Sequence, residues 1–389
     1  MKVLVLVNNF PNKDNSYTAN IVVKDQVRAM SKLVDEINVL VPIPKGIELK
    51  RKTSYRDYDI GENVHIHFVK YLNPLFPIAY SKLRKEWVWT ESRALMEFID
   101  KQNIVFDIIH AHYTWPSGAV GVKLKERYNV LLVITEHTSQ TLRRFIEKRD
   151  TFIFNVWRKA DAIIRVRKGD VWLISQAVNE KTPVFCIPNG FDEEKFRVIS
   201  KNIAREPLNL PKNKKIILNV AGMYSPIKGH EFLIKAFSKV LQKQENALLV
   251  LVGDGKLRPK IENLISRLNL NDYVILAGAR PHDEIPLWMN SADLFVLPSL
   301  SEGNPTVMFE ALGVGLPFVG TAVGGVPEII TSEDYGLLCP PKDPKCLAEK
   351  ILIALEKDWD REKIRRYAEQ FTWENIAKQI ITIYRDILH

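Results

Sequence analysis

The chain has 389 residues, of which 46% are hydrophobic and 26% are charged. This length predicts two domains of roughly 150–200 residues each, and the ordinary composition excludes a disordered or fibrous chain. The formal net charge of +9 is compatible with an anionic substrate, an anionic membrane surface or nucleic acid, and charge alone does not choose among these partners.

Signals for export, membrane insertion and disulfide formation are weak in this sequence. The amino-terminal apolar run Val3–Val7 stops at Asn8, which makes it too short for the hydrophobic region of a signal peptide. No run of about 18 apolar residues predicts a transmembrane helix. The cysteines Cys186, Cys339 and Cys346 include no CxxC pair. We therefore expect a reduced, cytoplasmic protein without structural disulfide bonds.

In the amino-terminal half, short apolar runs rich in Val and Ile alternate with amphipathic stretches. This alternation is typical of βαβ units and predicts a parallel sheet covered by helices. The predicted strands are Val3–Val7, Ile37–Val41, Ile108–His110 and Leu131–Thr135, and the predicted helices include Val22–Leu33 and Lys82–Lys101.

Two histidine-containing segments lie at the ends of predicted strands. Their sequences are Ile109-His110-Ala111-His112-Tyr113 and Thr135-Glu136-His137-Thr138-Ser139. Because ligands of open α/β sheets bind outside the carboxyl ends of the strands, these side chains are candidates for a ligand site. No acidic cluster with ligand spacing accompanies them, so we expect no metal ion there.

The alternation of strands and helices restarts near residue 215. Five further strands are predicted at Lys215–Ala221, Ala247–Val252, Tyr273–Leu276, Asp293–Leu297 and Leu316–Gly320. The polar stretch 197–214, which contains two prolines, predicts a linker between a first domain at 1–196 and a second at 215–371. The amphipathic segment 372–389 predicts a closing helix, with Thr372 as its N-cap, that packs back on the first domain.

The loop after the first strand of the second half carries a lysine between glycines. Its sequence is Gly222-Met223-Tyr224-Ser225-Pro226-Ile227-Lys228-Gly229. Glycine permits close backbone approach, and the lysine ammonium can neutralise a phosphate; a solvated surface lysine is the alternative. The later run Gly253-Asp254-Gly255 lacks the third glycine of a dinucleotide fingerprint, which disfavours a nucleotide-dependent dehydrogenase.

The segment after the predicted strand Asp293–Leu297 contains the largest number of candidate ligand-binding residues. It reads Glu302-Gly303-Asn304-Pro305-Thr306-Val307-Met308-Phe309-Glu310. Asn304 and Pro305 suit the N-cap and first position of a helix, whose positive end suits an anion such as a diphosphate. The two glutamates are too far apart to share a proton, but each can accept hydrogen bonds from ligand hydroxyls. The alternative is an ordinary surface glutamate and a satisfied helical one.

This block resembles the E-x7-E region of retaining glycosyltransferases of family 4. Those enzymes have the GT-B fold, an α/β architecture in which two Rossmann-like parallel-sheet domains face each other across a cleft. The flanking residues 291–299 and Val323-Gly324-Gly325-Val326-Pro327-Glu328 match as well. The resemblance is dense over residues 215–336 and looser elsewhere. It implies a glycosyltransferase of hexosyltransferase type that needs no metal and no cofactor beyond its nucleotide-diphosphate sugar donor.

The resemblance also implies a set of site residues. Lys228 matches the lysine that contacts the donor diphosphate, and His137 matches a histidine that approaches the donor sugar. The implied catalytic residues are His137, Glu302 and Lys228, the implied donor-binding residues are Gly222, Met223, Lys228, Ala279, Arg280, Glu302, Gly303, Asn304, Pro305, Thr306 and Glu310, and His112 is implied on the acceptor side. In this assignment one glutamate binds the donor sugar, the other binds the ribose, and the backbone at 279–280 meets the base.

Two positions depart from the family pattern. Met223 stands where relatives usually have an arginine, which removes one phosphate contact and leaves Lys228 and the helix end to hold the leaving group. The first loop carries Thr18-Ala19-Asn20 in place of the usual glycine. Asparagine tolerates the left-handed region, so we expect the turn to survive.

The resemblance implies sugar transfer with retention, by front-face attack in which the leaving phosphate oxygen takes the proton of the acceptor. The expected partners are the nucleotide sugar and a glycan or lipid-linked acceptor, such as a glycolipid or a polysaccharide precursor, with no nucleic acid. Two rival functions stay open, namely a nucleotide-sugar epimerase and an inactive sugar-nucleotide-binding protein.

Two stretches, 80–89 and 142–149, mix basic and aromatic residues on predicted helices. Helices of this composition can lie on anionic lipid, which would make the protein peripheral on the inner face of a membrane. The same pattern also describes core aromatics beneath a solvated basic face.

Overall fold

The computed structural model describes residues 1–14, 19–48, 53–72, 83–138, 140–178 and 182–388. The chain divides into two compact units. The first comprises Met1–Pro188 with Trp373–His389, and the second comprises Asn189–Thr372. The first unit therefore ends at Pro188 instead of at residue 196, the boundary predicted from the sequence.

The described part of the first unit contains an eight-stranded sheet. Its strands are β1 (Lys2–Leu6), β2 (Glu36–Pro44), β3 (Tyr58–Asp59), β4 (Val64–Tyr71), β5 (Ile108–His112), β6 (Leu131–Glu136), β7 (Ala162–Arg165) and β8 (Val184–Cys186). The strand order is β3-β4-β2-β1-β5-β6-β7-β8. Neighbouring strands are parallel except for β3, which runs antiparallel to β4.

Helices cover both faces of this sheet. They are α1 (Ile21–Ser31), α2 (Arg84–Gln102), α3 (Ala119–Tyr128), α4 (Gln140–Glu147), α5 (Thr151–Lys159) and α6 (Val171–Val178). Val3 and Val5 of β1 pack in the core that contains α1, whereas Leu4 and Leu6 pack in the opposite core. Alternate residues of a strand point to opposite faces, so a strand buried on both sides is apolar throughout.

The second unit contains a six-stranded, fully parallel sheet. Its strands are β9 (Lys215–Val220), β10 (Ala247–Val252), β11 (Val274–Gly278), β12 (Leu294–Leu297), β13 (Phe318–Thr321) and β14 (Gly336–Cys339). The order β11-β10-β9-β12-β13-β14 is that of a doubly wound Rossmann sheet, and it reverses direction between β9 and β12. Ligands of such sheets bind at this switch point, outside the carboxyl ends of the strands.

The helices of the second unit lie on both sides of its sheet. They are α7 (Lys201–Arg205), α8 (His230–Leu241), α9 (Arg258–Arg267), α10 (Ile285–Ser291), α11 (Thr306–Gly313), α12 (Val326–Ile329), α13 (Pro344–Glu356) and α14 (Arg361–Ala368). Every strand predicted from the sequence overlaps an observed strand, so the parallel α/β class predicted for both halves is confirmed.

Residues 197–214, predicted as a linker, belong to the second unit. They contain α7, which packs on α10. The Arg205 side chain is 2% exposed; it pairs with Asp293 at 2.7 Å and donates to the carbonyl of Ser291 at 2.8 Å. A polar residue with a buried partner satisfies its charge inside the fold, which is why this polar stretch is packed structure.

The closing helix α15 (Trp373–Leu388) belongs to the first unit. Its buried face includes Trp373, Ile376, Ile380 and Tyr384, and it packs against α1. Hydrophobic residues at intervals of three and four place this stripe on one side of the helix. Among the described residues, no helix combines the length and apolar character needed to span a membrane.

Candidate functional site

The loop after β9 lies at the carboxyl edge of the second sheet, beside the switch point. It forms a short 3₁₀ helix, Pro226–Lys228, and the Ser225 hydroxyl caps this helix by accepting from the backbone N–H of Ile227 at 3.3 Å. Gly229 follows with a φ of 72°, and a Cβ at this position would lie 1.9 Å from the carbonyl oxygen of Pro298. Only glycine fits there, and its presence brings the Lys228 loop against the residues that follow β12.

Lys228 and Glu302, two predicted site residues, are in direct contact. Lys228 Nζ lies 2.8 Å from Glu302 Oε1, and the Ser299 hydroxyl donates to the same oxygen at 2.6 Å. The Glu302 side chain is 8% exposed, whereas that of Lys228 is 34% exposed. The carboxylate is thus held in place, and the ammonium keeps accessible surface on which an anion can bind.

A second glycine brings another loop close to Glu302. Gly324 has a φ of 60°, and a Cβ there would lie 1.9 Å from the carbonyl oxygen of Glu302. The next residue, Gly325, donates its backbone N–H to the carbonyl of Gly303 at 2.8 Å. The paired glycines after β13 therefore fix the backbone on which Glu302 is carried.

Glu310 lies on α11 and is paired with His282. Its Oε1 is 2.8 Å from His282 Nε2, and its buried Oε2 has no hydrogen-bond partner in the described part of the chain. A buried carboxylate oxygen without a partner carries a desolvation cost that a ligand hydroxyl could relieve. His282 itself was not predicted as a site residue, although it lies only two positions after Arg280, which was.

Helix α11 begins one residue later than the sequence predicts, and the assignment of Asn304 as its N-cap is wrong. Pro305 occupies the N-cap position without a side-chain cap, and the helix starts at Thr306. The Asn304 side chain instead accepts from the backbone N–H of Asn189 at 2.7 Å, and Asn189 Nδ2 donates to the Asn304 carbonyl. The backbone N–H groups of Thr306 and Val307 therefore have no side-chain cap and are suited to an anion.

Met223 does not line a ligand site with its side chain, which corrects the prediction for this residue. The side chain is 0% exposed and packs in the core between the sheet and α8. Its backbone N–H donates to Asp254 and its carbonyl accepts from Leu257. The thioether side chain of methionine is apolar and flexible, so it can be buried in the core, whereas the charge of an arginine favours the surface. Gly222 beside it is exposed.

The loop after β11 holds the two residues predicted to meet a nucleobase. Ala279 and Arg280 are both exposed, and Gly278 before them has a φ of 76°. The Arg280 guanidinium lies 5.6 Å from the centre of the Trp288 ring, and its Nε donates to the carbonyl of Ala277 at 3.0 Å. The arginine side chain is thus held against Trp288 and the backbone of its own loop.

In the first unit, a cluster of three histidines lies at the carboxyl ends of β5 and β6. His110 and His112 are stacked at 4.5 Å between ring centres, and His112 and His137 are stacked at 5.3 Å. His112 Nδ1 lies 3.0 Å from His137 Nε2. The prediction that His112 lies on the acceptor side is not supported by its position, because its side chain is fully buried beneath His137.

Burial suppresses the charge of all three histidines, because a cation loses its hydration in the protein interior. It lowers the pKa of His137 to about 4 and, together with the nearby His137, that of His110 to about 3. The pKa of His112 is lowered well below its usual range by burial and by the two neighbouring histidines. The cluster is therefore neutral at physiological pH.

Glu136, a residue that sequence reasoning did not select, shapes the turn that carries His137. Its carboxylate accepts from the backbone N–H groups of Thr114 at 3.0 Å and Thr138 at 2.8 Å, and from the Thr138 hydroxyl. Arg165 donates to the Glu136 carbonyl and pairs with Asp170 at 2.7 Å. The hint in the sequence is that an acidic residue ends a strand that begins with four apolar residues.

The first loop retains its turn at Asn20, as expected. Asn20 has a φ of 61°, its amide donates to the Asn9 carbonyl at 2.9 Å, and its Oδ1 accepts from the Tyr113 hydroxyl at 2.7 Å. Asparagine therefore supplies the left-handed conformation that this turn requires. Thr18 lies outside the described residues. Across the described chain, no group of three or more His, Cys, Asp or Glu side chains is arranged to hold a metal ion.

Two family models match the chain and together cover most of it. A model described as glycosyl transferases group 1 matches residues 200–371, and one described as glycosyltransferase family 4 matches residues 19–195. The chain is 30% identical over 299 residues to an uncharacterized glycosyltransferase of Methanocaldococcus jannaschii, covering 72% of this chain and 75% of that protein. It is 28% identical over 336 residues to a D-inositol 3-phosphate glycosyltransferase of Corynebacterium urealyticum, covering 79% of each.

Solved structures with the same architecture are less similar in sequence. Sucrose-phosphate synthase from Thermosynechococcus elongatus superposes with a TM-score of 0.82 at 24% identity, covering 100% of this chain and 99% of that one. HepE of Anabaena, in complex with UDP-glucose, superposes with a TM-score of 0.73 at 22% identity, covering 99% and 100%. At these identities the likeness concerns the fold.

Proposed function

The chain belongs to the family 4 glycosyltransferases and has their GT-B fold, and on that premise we propose that it transfers a sugar from a nucleotide-diphosphate donor to an acceptor with retention of configuration. The observation that carries this proposal is the contact between Lys228 and Glu302 at the switch point of the second sheet. A cation and a fixed carboxylate stand there beside the uncapped start of α11.

The diphosphate of the donor binds at Lys228 and at the backbone N–H groups that open α11. The ammonium and the positive end of the helix both favour negative charge, and charge grows on the diphosphate as the glycosidic bond breaks. Lys228 is paired with Glu302, so the diphosphate competes for the ammonium. That competition leaves the carboxylate free to accept hydroxyl groups of the sugar.

The nucleoside half of the donor lies toward α11 and the loop after β11. The unpartnered Oε2 of Glu310 accepts the ribose hydroxyls, and the exposed backbone of Ala279 and Arg280 meets the base. The UDP-glucose complex of the structurally similar HepE supports a nucleotide-sugar ligand, and uridine is the first base to test.

His137 of the first unit contacts the donor sugar as a neutral imidazole, because burial lowers its pKa to about 4. Retention follows from attack on the same face as the departing phosphate, whose oxygen accepts the proton of the acceptor hydroxyl. No covalent nucleophile is required in this scheme, unlike the paired carboxylates of retaining glycosidases.

The acceptor is a hydroxyl compound such as a glycolipid, a lipid-linked saccharide or a polysaccharide precursor. One relative carries the name D-inositol 3-phosphate glycosyltransferase, so phosphorylated polyols belong in the same screen. The net charge of +9 favours acceptors that carry phosphate or carboxylate groups.

The first unit also contacts an anionic membrane surface in this proposal. On α2, Trp89 is 62% exposed and lines a groove of about 910 Å³ between α2, α3 and α5, whose lining also includes Lys85, Lys123 and Lys159. We expect the protein to sediment with anionic but not zwitterionic vesicles at low salt, and less so after Trp89→Ser. Trp172→Ser, at an equally exposed tryptophan of α6, is the control; no sedimentation of wild type would contradict the membrane contact.

Activity is tested by incubating the protein with UDP-, GDP- and ADP-sugars, alone and with acceptor mixtures, and by measuring nucleoside diphosphate and glycoside products. A transferase releases nucleoside diphosphate in step with glycoside. An epimerase would change the donor without acceptor, and an inactive binding protein would bind donor and release nothing. Either of these results would contradict the proposed function.

A further inference from the structure

The three-histidine cluster extends to the closing helix of the chain. The Tyr384 hydroxyl of α15 lies 2.5 Å from His110 Nδ1, and His110 Nε2 lies 2.7 Å from the Thr135 hydroxyl. His110 is stacked on His112, which contacts His137. A continuous set of buried contacts therefore leads from α15 to the histidine that we assign to the donor sugar.

The proton positions on His110 follow from its two partners. Burial raises the pKa of Tyr384 well above its usual range, so its hydroxyl keeps its proton. A buried hydroxyl needs an acceptor, and His110 Nδ1 is the one that the structure supplies. His110, which is neutral, then carries its own proton on Nε2 and donates it to Thr135. These two hydrogen bonds fix both the orientation and the tautomer of the His110 ring.

The contact between His112 and His137 must contain a single proton, because both rings are neutral. Either His112 Nδ1 donates to His137 Nε2, or the reverse. His112 Nε2 is buried and has no partner in the described part of the chain. In the reverse arrangement that atom would be a buried, unpaired N–H donor, and orphaned buried N–H groups are rarer than under-satisfied acceptors. The first arrangement is therefore favoured.

We infer that His112 is a positioning residue that holds His137 in the tautomer protonated at Nδ1, so that His137 presents a hydrogen-bond donor to its ligand. This inference rests on the proposed function only for the identity of that ligand, the donor sugar. A ring whose Nε2 already accepts a hydrogen bond has no free lone pair with which to act as a base. His137 thus binds a sugar oxygen and does not remove a proton from the acceptor.

Two substitutions of His112 separate this role from simple packing. The amide nitrogen of asparagine takes about the position of an imidazole Nδ1, whereas that of glutamine takes about the position of Nε2. His112→Asn therefore keeps the donor to His137, and His112→Gln removes it at similar polarity. We expect turnover close to wild type for the asparagine variant and about 10–100-fold lower for the glutamine variant, the range found for partners that orient metal-binding histidines.

The second readout is independent of activity. Imidazole ¹⁵N NMR, assigned with His110→Asn and His137→Asn variants, reports which nitrogen of each neutral ring carries the proton. We expect His137 to be protonated at Nδ1 in wild type and in His112→Asn, and to shift toward Nε2 protonation in His112→Gln. Wild-type His137 protonated at Nε2 would overturn the inference, as would an unchanged tautomer in His112→Gln.

Two further outcomes are informative. Equal loss of turnover in both variants, with lowered unfolding temperatures, would assign His112 a packing role and overturn the inference. Failure of the wild-type protein to turn over any nucleotide sugar would instead contradict the proposed function, and the NMR comparison would still decide whether His112 sets the tautomer of His137.

Discussion

At the scale of single residues, the site of the second unit depends on one ion pair. Glu302 is nearly buried and accepts from both Lys228 and Ser299. Removing one partner of such a pair leaves the other charge poorly compensated. We also assign Lys228 to the leaving diphosphate. Its loss therefore removes a contact that positions Glu302 and a cation that stabilises the negative charge of the diphosphate.

We predict that Lys228→Ala lowers the turnover of nucleotide sugar by about 10²–10³-fold, the usual effect of removing one group that stabilises developing charge. Glu302→Gln should also reduce turnover strongly, because Glu302 is the carboxylate that we assign to the hydroxyl groups of the donor sugar. Lys235→Ala is the matched control, since Lys235 also pairs with a glutamate, at 2.6 Å, but on the surface of α8. Steady-state release of nucleoside diphosphate measures all three variants. Equal rates for Lys228→Ala and Lys235→Ala would contradict the assignment.

Some site residues could be predicted from the sequence, but the contacts between them could not. Lys228 and Glu302 were both selected from their local motifs, but their mutual contact joins loops 74 positions apart and is invisible in the sequence. Met223 was assigned to the donor site because it aligns with an arginine of the family motif. Its apolar side chain is instead buried in the core. The pairing of His112 with His137 depends on the register of β5 against β6, which only the folded sheet supplies.

At the scale of elements, glycines after strands decide how closely the site loops approach each other. Gly229 and Gly324 both have positive φ angles, and both face a carbonyl oxygen at 1.9 Å from where a Cβ would stand. These loops therefore cannot keep their positions with any other residue. The carboxyl-edge loops of the second sheet are held as one packed group.

We predict that Gly229→Ala disrupts the Lys228 loop, at a cost that includes about 1–3 kcal/mol of backbone strain and a further steric term. Gly61→Ala is the control, because Gly61 has a similar φ of 66° but nothing lies within 4 Å of its Cβ position. The unfolding temperature and the affinity for nucleoside diphosphate should both fall more for Gly229→Ala than for Gly61→Ala. Indistinguishable effects of the two variants would show that the close approach to Pro298 is not required.

The elements themselves were largely predictable. Strands that are buried on both faces have largely apolar sequences. The strands β1, β9 and β10 could therefore be predicted from their apolar runs. The boundary between the units was not predictable in the same way. Residues 197–214 are polar and contain prolines, which is typical of a linker, but Arg205 is buried through its pairing with Asp293. A polar sequence indicates exposure only when no buried partner exists.

At the scale of the whole molecule, buried ionisable groups couple the stability of the first unit to pH. The folded pKa values of His110 and His137 are about 3 and about 4, and that of His112 is also strongly lowered. Unfolding returns each to about 6.5. The unfolded unit therefore binds up to three more protons below that pH, so these groups destabilise the unit as pH falls from about 6.5 toward 4.

Glu91 acts in the opposite direction. Burial raises its pKa to about 7, despite hydrogen bonds from Tyr71 and Trp87, so the folded unit holds a proton that the unfolded chain releases above about 4.5. Of these four groups the net difference is two protons between about pH 4.5 and 6.5. We predict that the unit loses stability as pH falls through that window, by up to about 3 kcal/mol per pH unit.

Urea unfolding between pH 5 and 6.5 measures this slope, and Glu91→Gln provides the internal comparison. Removing the opposing carboxyl should steepen the slope by about half, because the difference in bound protons rises from two to three. A wild-type unit whose stability is flat or rises as pH falls through this window would contradict the assignment of buried neutral histidines.

The position of the donor diphosphate decides most directly whether the proposed function is correct. A crystal structure of the protein soaked with UDP or with a UDP-sugar would locate it. We predict the diphosphate in contact with Lys228 Nζ and with the backbone N–H groups of Thr306 and Val307, and Glu302 released from its ion pair with Lys228. A diphosphate bound elsewhere, with the pair between Lys228 and Glu302 intact, would contradict the central claim.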